Sequence, residues 1–461
     1  MHCLLVNPPW LTRKGNIWTL IRSTMPPLGI LYLAACLEQA GHEVTVVDYQ
    51  GDPKPWETIE AEIRAWRADL VGITATTPIV KHGYRIAALV KRHHPATPVV
   101  FGGVHATALP EEPLATGNVD FVVRGEGEEA ILALAGGNVP TTIPGLSLRE
   151  ADGTIHHIGT PGMMANLDAL PIPAYHLVDL SRYRPALGAY KRLPGINMAT
   201  TRGCPGKCTF CNSADIRLRK RSAEHIFAEM AHLARHHGMK EISFYDDTFT
   251  VYPNNLIRLC KLLVANGVDL TWSCFARVDC VSEELLTHMK AAGCHQVMYG
   301  IESASDDILR TIKKPIPRAK VKEAIAITKQ VGITVRCTFM LGNPGETHAT
   351  VQETIRYANE LAPDIALFNI TTPYPGTEMF AWAKANGYLL TEDWDDYDLS
   401  RPVMRLPTLS PQELEGYYRK AHLAFYLRPG PLWRKATDPA SWHSLGRLWE
   451  AGVKWIRSSI T

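Results

Sequence analysis

Thr201-Arg-Gly-Cys204-Pro-Gly-Lys-Cys208-Thr-Phe-Cys211-Asn212 comes directly at the end of Ile196–Thr201, a run that reads as a β-strand. Three thiols spaced C-x3-C-x2-C are the densest chemistry in the chain. Thiolates are soft ligands, suited to zinc or to iron–sulfur clusters. A structural zinc site wants four closed ligands, usually paired cysteines or cysteine with histidine. No fourth Cys or His lies close by to close such a site. On a four-iron cluster, three thiolates leave one iron without a protein ligand, free to hold a substrate. The interspersed Gly and Pro residues let the loop wrap a bulky cluster with its amides facing the sulfurs.

Downstream, strand-like runs recur at Glu241–Tyr245, Leu270–Phe275, Gln296–Ile301, Thr334–Leu341 and Ile365–Thr371. Helical patterns at Ala223–His237, Leu256–Asn266, Glu283–Ala292, Lys320–Gln330 and Thr350–Leu361 separate them. Six strands alternating with helices predict a partial (β/α)6 barrel, with an open sheet as the other arrangement of the same units. Barrel chemistry belongs at the carboxyl ends of the strands.

Upstream, short strands at Cys3–Val6, Val44–Asp48, Leu70–Thr74, Pro98–Gly102 and Phe121–Arg124 alternate with helical segments near 27–41, 56–67, 79–94 and 126–136. This is the pattern of an α/β, Rossmann-like parallel sheet, whose ligands sit outside the carboxyl strand ends. Those ends carry Asn7-Pro8-Pro9, Thr76-Thr77-Pro78, Gly102-Gly103-Val104-His105 and Gly125-Glu126-Gly127-Glu128. Residues 141–192 lose the alternation and read as a proline-rich linker with a small hairpin. Beyond 395 the chain reads as a small helical region. Within it Ser441–Ile460 forms a basic, Trp-bearing amphipathic pattern that would pack on its own protein or lie on a membrane surface.

Composition sets the outer bounds. The 461 residues are 46% hydrophobic, which excludes a disordered chain, and 48 basic against 46 acidic residues give no electrostatic case for nucleic-acid binding. No apolar run approaches the roughly 20 residues that span a bilayer. The opening Met1-His-Cys-Leu-Leu-Val-Asn-Pro-Pro-Trp10 has no charged and apolar leader pattern, so a cytoplasmic address is expected. The other seven of the ten cysteines are scattered singly, as reduced thiols packed in apolar segments. Arg217, Arg219, Lys220 and Arg221 read as a solvated basic face, or as an attraction for an anionic substrate.

C-x3-C-x2-C at the end of the first barrel strand resembles the radical S-adenosylmethionine (SAM) superfamily. The motifs Asn7-Pro-Pro-Trp10, Pro26-Pro-Leu-Gly-Ile-Leu-Tyr-Leu-Ala34, Gly102-Gly-Val-His-Ala-Thr-Ala-Leu-Pro-Glu-Glu112 and Val122-Val-Arg-Gly-Glu-Gly-Glu128 resemble its cobalamin-binding branch. The resemblance covers about residues 1–390. It implies a cobalamin-binding domain over 1–140, a linker over 141–192, a radical SAM core over 193–395 and a helical region over 396–461. It also implies a 4Fe-4S cluster held by Cys204, Cys208 and Cys211, with SAM on the open iron. Asp246 and Asp247 would take the SAM amino group, Glu302 would contact SAM, and Arg336 would pair with its carboxylate. Asn7, Pro8, Thr76, Thr77, Gly102, Gly103, Val104, His105, Gly125, Glu126 and Gly127 would line the cobalamin surface.

The D-x-H-x-x-G pattern that supplies a cobalt-binding His elsewhere is missing: Gln50 stands where the His would be in Asp48-Tyr-Gln-Gly-Asp52. His105, a lone His beside small residues, reads as a hydrogen-bonding or packing residue more readily than as a ligand. The function implied is methylation of an unactivated carbon of a small-molecule substrate, by way of methylcobalamin and a 5′-deoxyadenosyl radical. A radical cyclase or rearrangement enzyme of tetrapyrrole or hopanoid type would need the same cofactors. A non-catalytic cobalamin sensor or carrier would need no cysteine trio. Flavodoxin or ferredoxin is the implied electron donor. A methylthiotransferase would carry a second cysteine trio in the front domain, where only Cys3 and Cys36 occur.

Overall fold

The structure is a computed structural model that describes residues 1–10, 23–186 and 188–428. In the front domain, apolar residues alternate between two buried faces. Strands β1 (His2–Asn7), β2 (Glu43–Asp48), β3 (Leu70–Thr74), β4 (Val99–Gly102) and β5 (Phe121–Val123) are parallel and lie in the order β2-β1-β3-β4-β5. Helices α1 (Leu28–Gln39), α2 (Trp56–Ala65) and α3 (Val80–His93) cover them, followed by short α4 (Val104–Ala108), α5 (Glu111–Ala115) and α6 (Glu128–Ala135). Leu4 and Val6 pack with Ile59, Ile63 and Ile86 of α2 and α3. Cys3 and Leu5 pack on the other face with Ile30, Leu37 and Ile131 of α1 and α6. The strand order reverses between β1 and β3, so their carboxyl ends, Asn7-Pro8 and Ala75-Thr76-Thr77, flank the crevice where such sheets bind ligands.

The interval 141–192 is more than a connector. Strands β6 (Leu146–Arg149) and β7 (Ile155–His157) pair antiparallel and extend the front sheet past β5 to seven strands.

The second unit begins with β8 (Gly195–Met198), then β9 (Thr201–Arg202) and β10 (Arg219–Lys220), which pair only with each other. Strands β11 (Glu241–Phe244), β12 (Thr271–Ala276), β13 (Cys294–Glu302), β14 (Thr334–Leu341) and β15 (Ile365–Ile370) complete a six-stranded parallel sheet ordered β15-β14-β13-β12-β11-β8. Its first and last strands are not hydrogen-bonded to each other, so the barrel is open. The crossovers are α7 (Ala223–His236), α8 (Pro253–Ala265), α9 (Glu283–Ala291), α10 (Asp306–Thr311), α11 (Arg318–Gln330) and α12 (His348–Leu361). On β14, Val335, Cys337, Phe339 and Leu341 are buried with α11 and α12, while Thr334, Arg336, Thr338 and Met340 alternate onto the inner face.

After β15, α13 (Glu378–Ala385) follows a loop, and α14 (Pro411–Tyr426) packs on the sheet, with Tyr426 donating to Ala366 O at 2.8 Å. Between them the chain crosses back to the front domain. There Trp394 Nε1 donates to Glu112 at 2.9 Å, and Lys81 pairs with Asp393 at 2.5 Å. The amphipathic pattern of residues 441–460 lies outside the described residues, of which no helix is long and apolar enough to cross a membrane.

The loop after β14 closes on Glu346, a fully buried carboxylate. Its Oε2 accepts from the N–H groups of Gly342 and Asn343, the latter at 2.8 Å. Burial pushes its pKa up to about 7 against those two bonds. The folded state therefore binds this proton more tightly than the unfolded chain does. Its stability falls as pH rises from the ordinary carboxylate range through 7. Glu346→Gln should flatten that part of the melting-temperature profile between pH 5 and 8, by at most about 3 kcal/mol. A profile with unchanged slope would show that Glu346 does not titrate there.

Candidate active site

The cysteine loop is a closed excursion from the barrel. Thr201 pairs with Lys220 and Arg202 with Arg219, so residues 203–218 leave and return at one point. Gly203 makes the exit turn at φ +81°, and a Cβ there would stand 2.6 Å from the carbonyl oxygens of Ile216 and Arg217. Only glycine fits. Gly206 sits among the sulfurs: a Cβ on it would meet Cys204 Sγ at 3.3 Å and Cys208 Sγ at 3.7 Å. Amides turn toward the sulfurs, Gly206 N to Cys204 Sγ at 3.3 Å and Ser213 N to Cys211 Sγ at 3.4 Å. Among the described residues no three Cys, His, Asp or Glu side chains converge tightly enough to hold one metal ion. The donor set is three thiols arranged around a loop, which suits a polynuclear cluster rather than a closed zinc.

Charged groups surround these thiols. Burial pushes the Cys208 thiol up, opposed by the nearby cations of Lys314 and Arg277. Burial also raises Cys211, partly offset by the Ser213 amide. Glu302 ends β13 at φ +66°, beyond a register shift, and pairs with Lys314 Nζ at 2.6 Å. Gly300 makes room: a Cβ there would run into Glu302 Oε1 and lie 2.6 Å from Lys314 Nζ. Arg277 follows the last residue of β12 and forks onto Asp279 at 2.9 and 2.8 Å. Sequence reading passed over both cations. Arg277 was findable as a strand-end residue, whereas nothing local marks Lys314 as the partner of Glu302.

The two aspartates after β11 part company. Asp246 is buried, and its Oδ1 accepts from Thr200 N at 2.8 Å, Thr200 Oγ1 at 2.9 Å, Thr201 Oγ1 at 2.6 Å and Thr201 N. That bonding ties Asp246 to the turn feeding the cysteine loop through Oδ1, while its Oδ2 is buried without a hydrogen-bond partner. Asp247 is exposed, yet the surrounding protein raises its carboxyl against a Ser213 hydrogen bond, as in an open concavity. Arg336 occupies the inner face of β14 at the register of Met298, itself level with Phe275. Its Nε is buried without a hydrogen-bond partner, and no carboxylate pairs with it among the described residues. Burial pulls its pKa down, with Tyr426 and Tyr245 opposing. A buried, unpaired guanidinium calls for an anion.

On the front sheet, Thr76, Val104 and Gly125 are exposed at the carboxyl ends of β3, β4 and β5, and Val104 shows 53% of its surface. Gly102, Gly103 and Gly127 are half-buried beside them. Small residues with one open apolar side chain suit the face of a large flat ring. Asn7 is buried and donates to Asp48 Oδ1 at 2.7 Å, while Gln50 Nε2 reaches Asn7 Oδ1 and Pro8 O, each at 3.2 Å. Two expected surface residues are committed elsewhere. His105 is buried, with Nδ1 3.2 Å from Thr77 Oγ1, Nε2 3.5 Å from Glu112 Oε2 and its ring edge-on to Trp394. Glu126 is taken by Arg219, at 2.6 and 3.0 Å, and by Arg202 at 3.2 Å.

Arg219 and Arg221, read as a solvated face, are instead buried. Arg221 pairs with Glu229 at 2.5 Å and donates to Tyr32 of the front domain at 3.1 Å. The two units also touch at the strand ends. Asn212 donates to Pro375 O at 2.9 Å, and a Cβ on the adjoining Gly376 would stand 2.8 Å from Ala108 Cβ of α4. The cysteine loop and α4 of the front domain therefore meet at Gly376.

Comparison with known proteins agrees with this arrangement. A B12 binding domain model matches residues 19–135, and a radical SAM superfamily model matches residues 198–358. The chain is 37% identical to the uncharacterized methyltransferase PH0819 of Pyrococcus horikoshii, over 93% of each chain. It is 27% identical to the anaerobic magnesium-protoporphyrin IX monomethyl ester cyclase of Cereibacter sphaeroides, over 93% of this chain and 71% of that one. In fold it is similar to the radical SAM methyltransferase TsrM of Kitasatospora setae, with a TM-score of 0.71 at 19% identity, covering 93% of this chain and 89% of TsrM.

The Gly203 turn supplies a direct check. Gly203→Ala should take up far less iron per chain after anaerobic reconstitution, with circular dichroism and cobalamin uptake unchanged. Iron content equal to that of the parent chain would contradict the steric reading.

Proposed function

The chain belongs to the radical SAM enzymes that carry a B12-binding domain, and from that premise we propose that it methylates an unactivated carbon of a small-molecule substrate. The carrying observation is the contact at Gly376, where the cysteine loop and α4 of the front domain come together. A 4Fe-4S cluster, SAM and cobalamin are its cofactors. When bound, the cluster supplies the electron that splits SAM, and cobalamin supplies a metal that carries the methyl group.

The protein's part is to hold, orient and exclude water. Cys204, Cys208 and Cys211 would hold the cluster by three of its irons, and the fourth would be open to SAM. Arg336 receives the SAM carboxylate, which would satisfy its orphaned Nε. Asp247 would accept a hydrogen bond from the SAM amino group, while buried Glu302, tied to Lys314, would contact SAM beside it. Thr76, Val104 and Gly125 meet the corrin directly. Asn7, Pro8, Thr77, Gly102, Gly103 and Gly127 shape the surface beneath it. Asp246, His105 and Glu126 act from behind, as positioning residues. Tyr245 and Phe275, with rings 5.5 Å apart, line the inner wall. A flavodoxin- or ferredoxin-type donor supplies electrons in the cytoplasm, where the free thiols stay reduced.

The similarity to the magnesium-protoporphyrin cyclase favours a second reading, radical ring formation without methyl transfer. Deuterated-methyl SAM separates the two in any turnover assay. Label in the product supports methylation, whereas 5′-deoxyadenosine without label transfer supports cyclisation. Cys208→Ala should abolish SAM cleavage, below a thousandth of the parent rate, while leaving cobalamin binding intact. Retained 5′-deoxyadenosine formation would refute the cluster assignment.

A further inference from the structure

Two arginines at the foot of the cysteine loop and two glutamates beyond β5 form one ion-paired group, and we propose that this clasp sets the spacing between cluster and corrin. Arg219 Nη1 and Nη2 fork onto Glu126 at 3.0 and 2.6 Å, and Nη1 also donates to Met164 O at 2.8 Å. Glu126 Oε2 accepts in turn from Met164 N at 2.8 Å. Arg202 bridges the pair, to Glu126 at 3.2 Å and to Glu128 at 2.5 Å. Arg219 and Glu128 are 6% and 5% exposed, and Arg202 and Glu126 are half-buried, so solvent reaches one side of the group only. Burial raises Glu126, but Arg219, Arg202 and the Met164 amide outweigh it and hold the carboxyl below its ordinary range. A largely enclosed, bidentate group of this kind fixes geometry in a way that fully exposed pairs do not.

Its position gives it the spacing role. Arg202 lies two residues before Cys204, and Glu126 follows Gly125, which is exposed at the corrin surface. Both connecting segments are stiff. Gly203 is locked by the carbonyls of Ile216 and Arg217. Gly125, at φ +75°, donates its N–H to Thr107 Oγ1 at 2.9 Å, and a Cβ on it would stand 2.8 Å from Pro161 Cβ. The domains are also joined elsewhere, by Trp394 to Glu112, Lys81 to Asp393 and Arg221 to Tyr32. Loss of the clasp therefore loosens one edge of the cleft without parting the domains.

The clasp rests on the cofactor reading above, and the test separates the two. The full chain, anaerobically reconstituted with iron, sulfide and hydroxocobalamin, is brought to the state where the cluster and the cobalt are both paramagnetic. Pulsed electron paramagnetic resonance then reads their spin–spin coupling, with no substrate needed. The parent chain should give one narrow coupling. Arg219→Gln and the isosteric Glu126→Gln should keep iron and cobalamin contents but shift the coupling to weaker and broader values. The charge swap Arg219→Glu with Glu126→Arg should return it toward the parent. Parent-like coupling in both single variants overturns the proposal. So does loss of a cofactor from both, because the clasp would then serve binding and not spacing. A parent chain that takes up no cluster or no cobalamin refutes the cofactor reading instead.

Discussion

Four hydrogen bonds onto one carboxylate oxygen, Asp246 Oδ1, set the conditions for everything else in the cleft. They draw the backbone and hydroxyls of Thr200 and Thr201 against the end of β11, so the chain leaves β8 in a single direction. Gly203 then turns where no side chain fits, and the three sulfurs follow from that turn. An isolated loop of this composition would have many conformations. Anchoring its first residues to a buried carboxylate and its two feet to each other, through β9 and β10, removes most of them.

The second constraint is that two separate sheets must present their carboxyl ends to one another. The front sheet's strand order places its ligand crevice between β1 and β3, and the barrel places its chemistry above β8 and β11. Neither sheet dictates the relative pose. That comes from polar contacts across the junction and from the segment containing Trp394, which returns from the barrel to cover His105 and to hold half-buried Glu112. A small contact, Gly376 against Ala108, records how closely the two sets of loops approach.

Much of this was legible in the chain, for identifiable reasons. Parallel strands buried on both faces read as short apolar runs, so the βαβ pattern and the six barrel strands stood out. The cysteine spacing was local and specific. Interactions whose partners lie far apart in sequence were not legible. Arg219 meets Glu126 across 93 positions, so a basic run read as a solvated face proved to be an interdomain contact. Asp246 and Asp247 are adjacent and alike in type, but only the fold shows that one is enclosed by threonines and the other open. His105 was readable as a packing residue from its small neighbours, yet its burial by Trp394 depends on a segment nearly 300 residues away. The small hairpin in the proline-rich stretch was legible, whereas its pairing onto β5 at the edge of the front sheet was not.

The account stands or falls on a cluster with one iron corner left for the sulfonium cofactor. Electron–nuclear double resonance on the reduced, reconstituted protein, with SAM carrying 15N in its amino group and 17O in its carboxylate, tests that corner directly. Strong hyperfine coupling of both labels to the cluster is the predicted result. A cluster that shows neither coupling, with all its irons held by side chains, would contradict it.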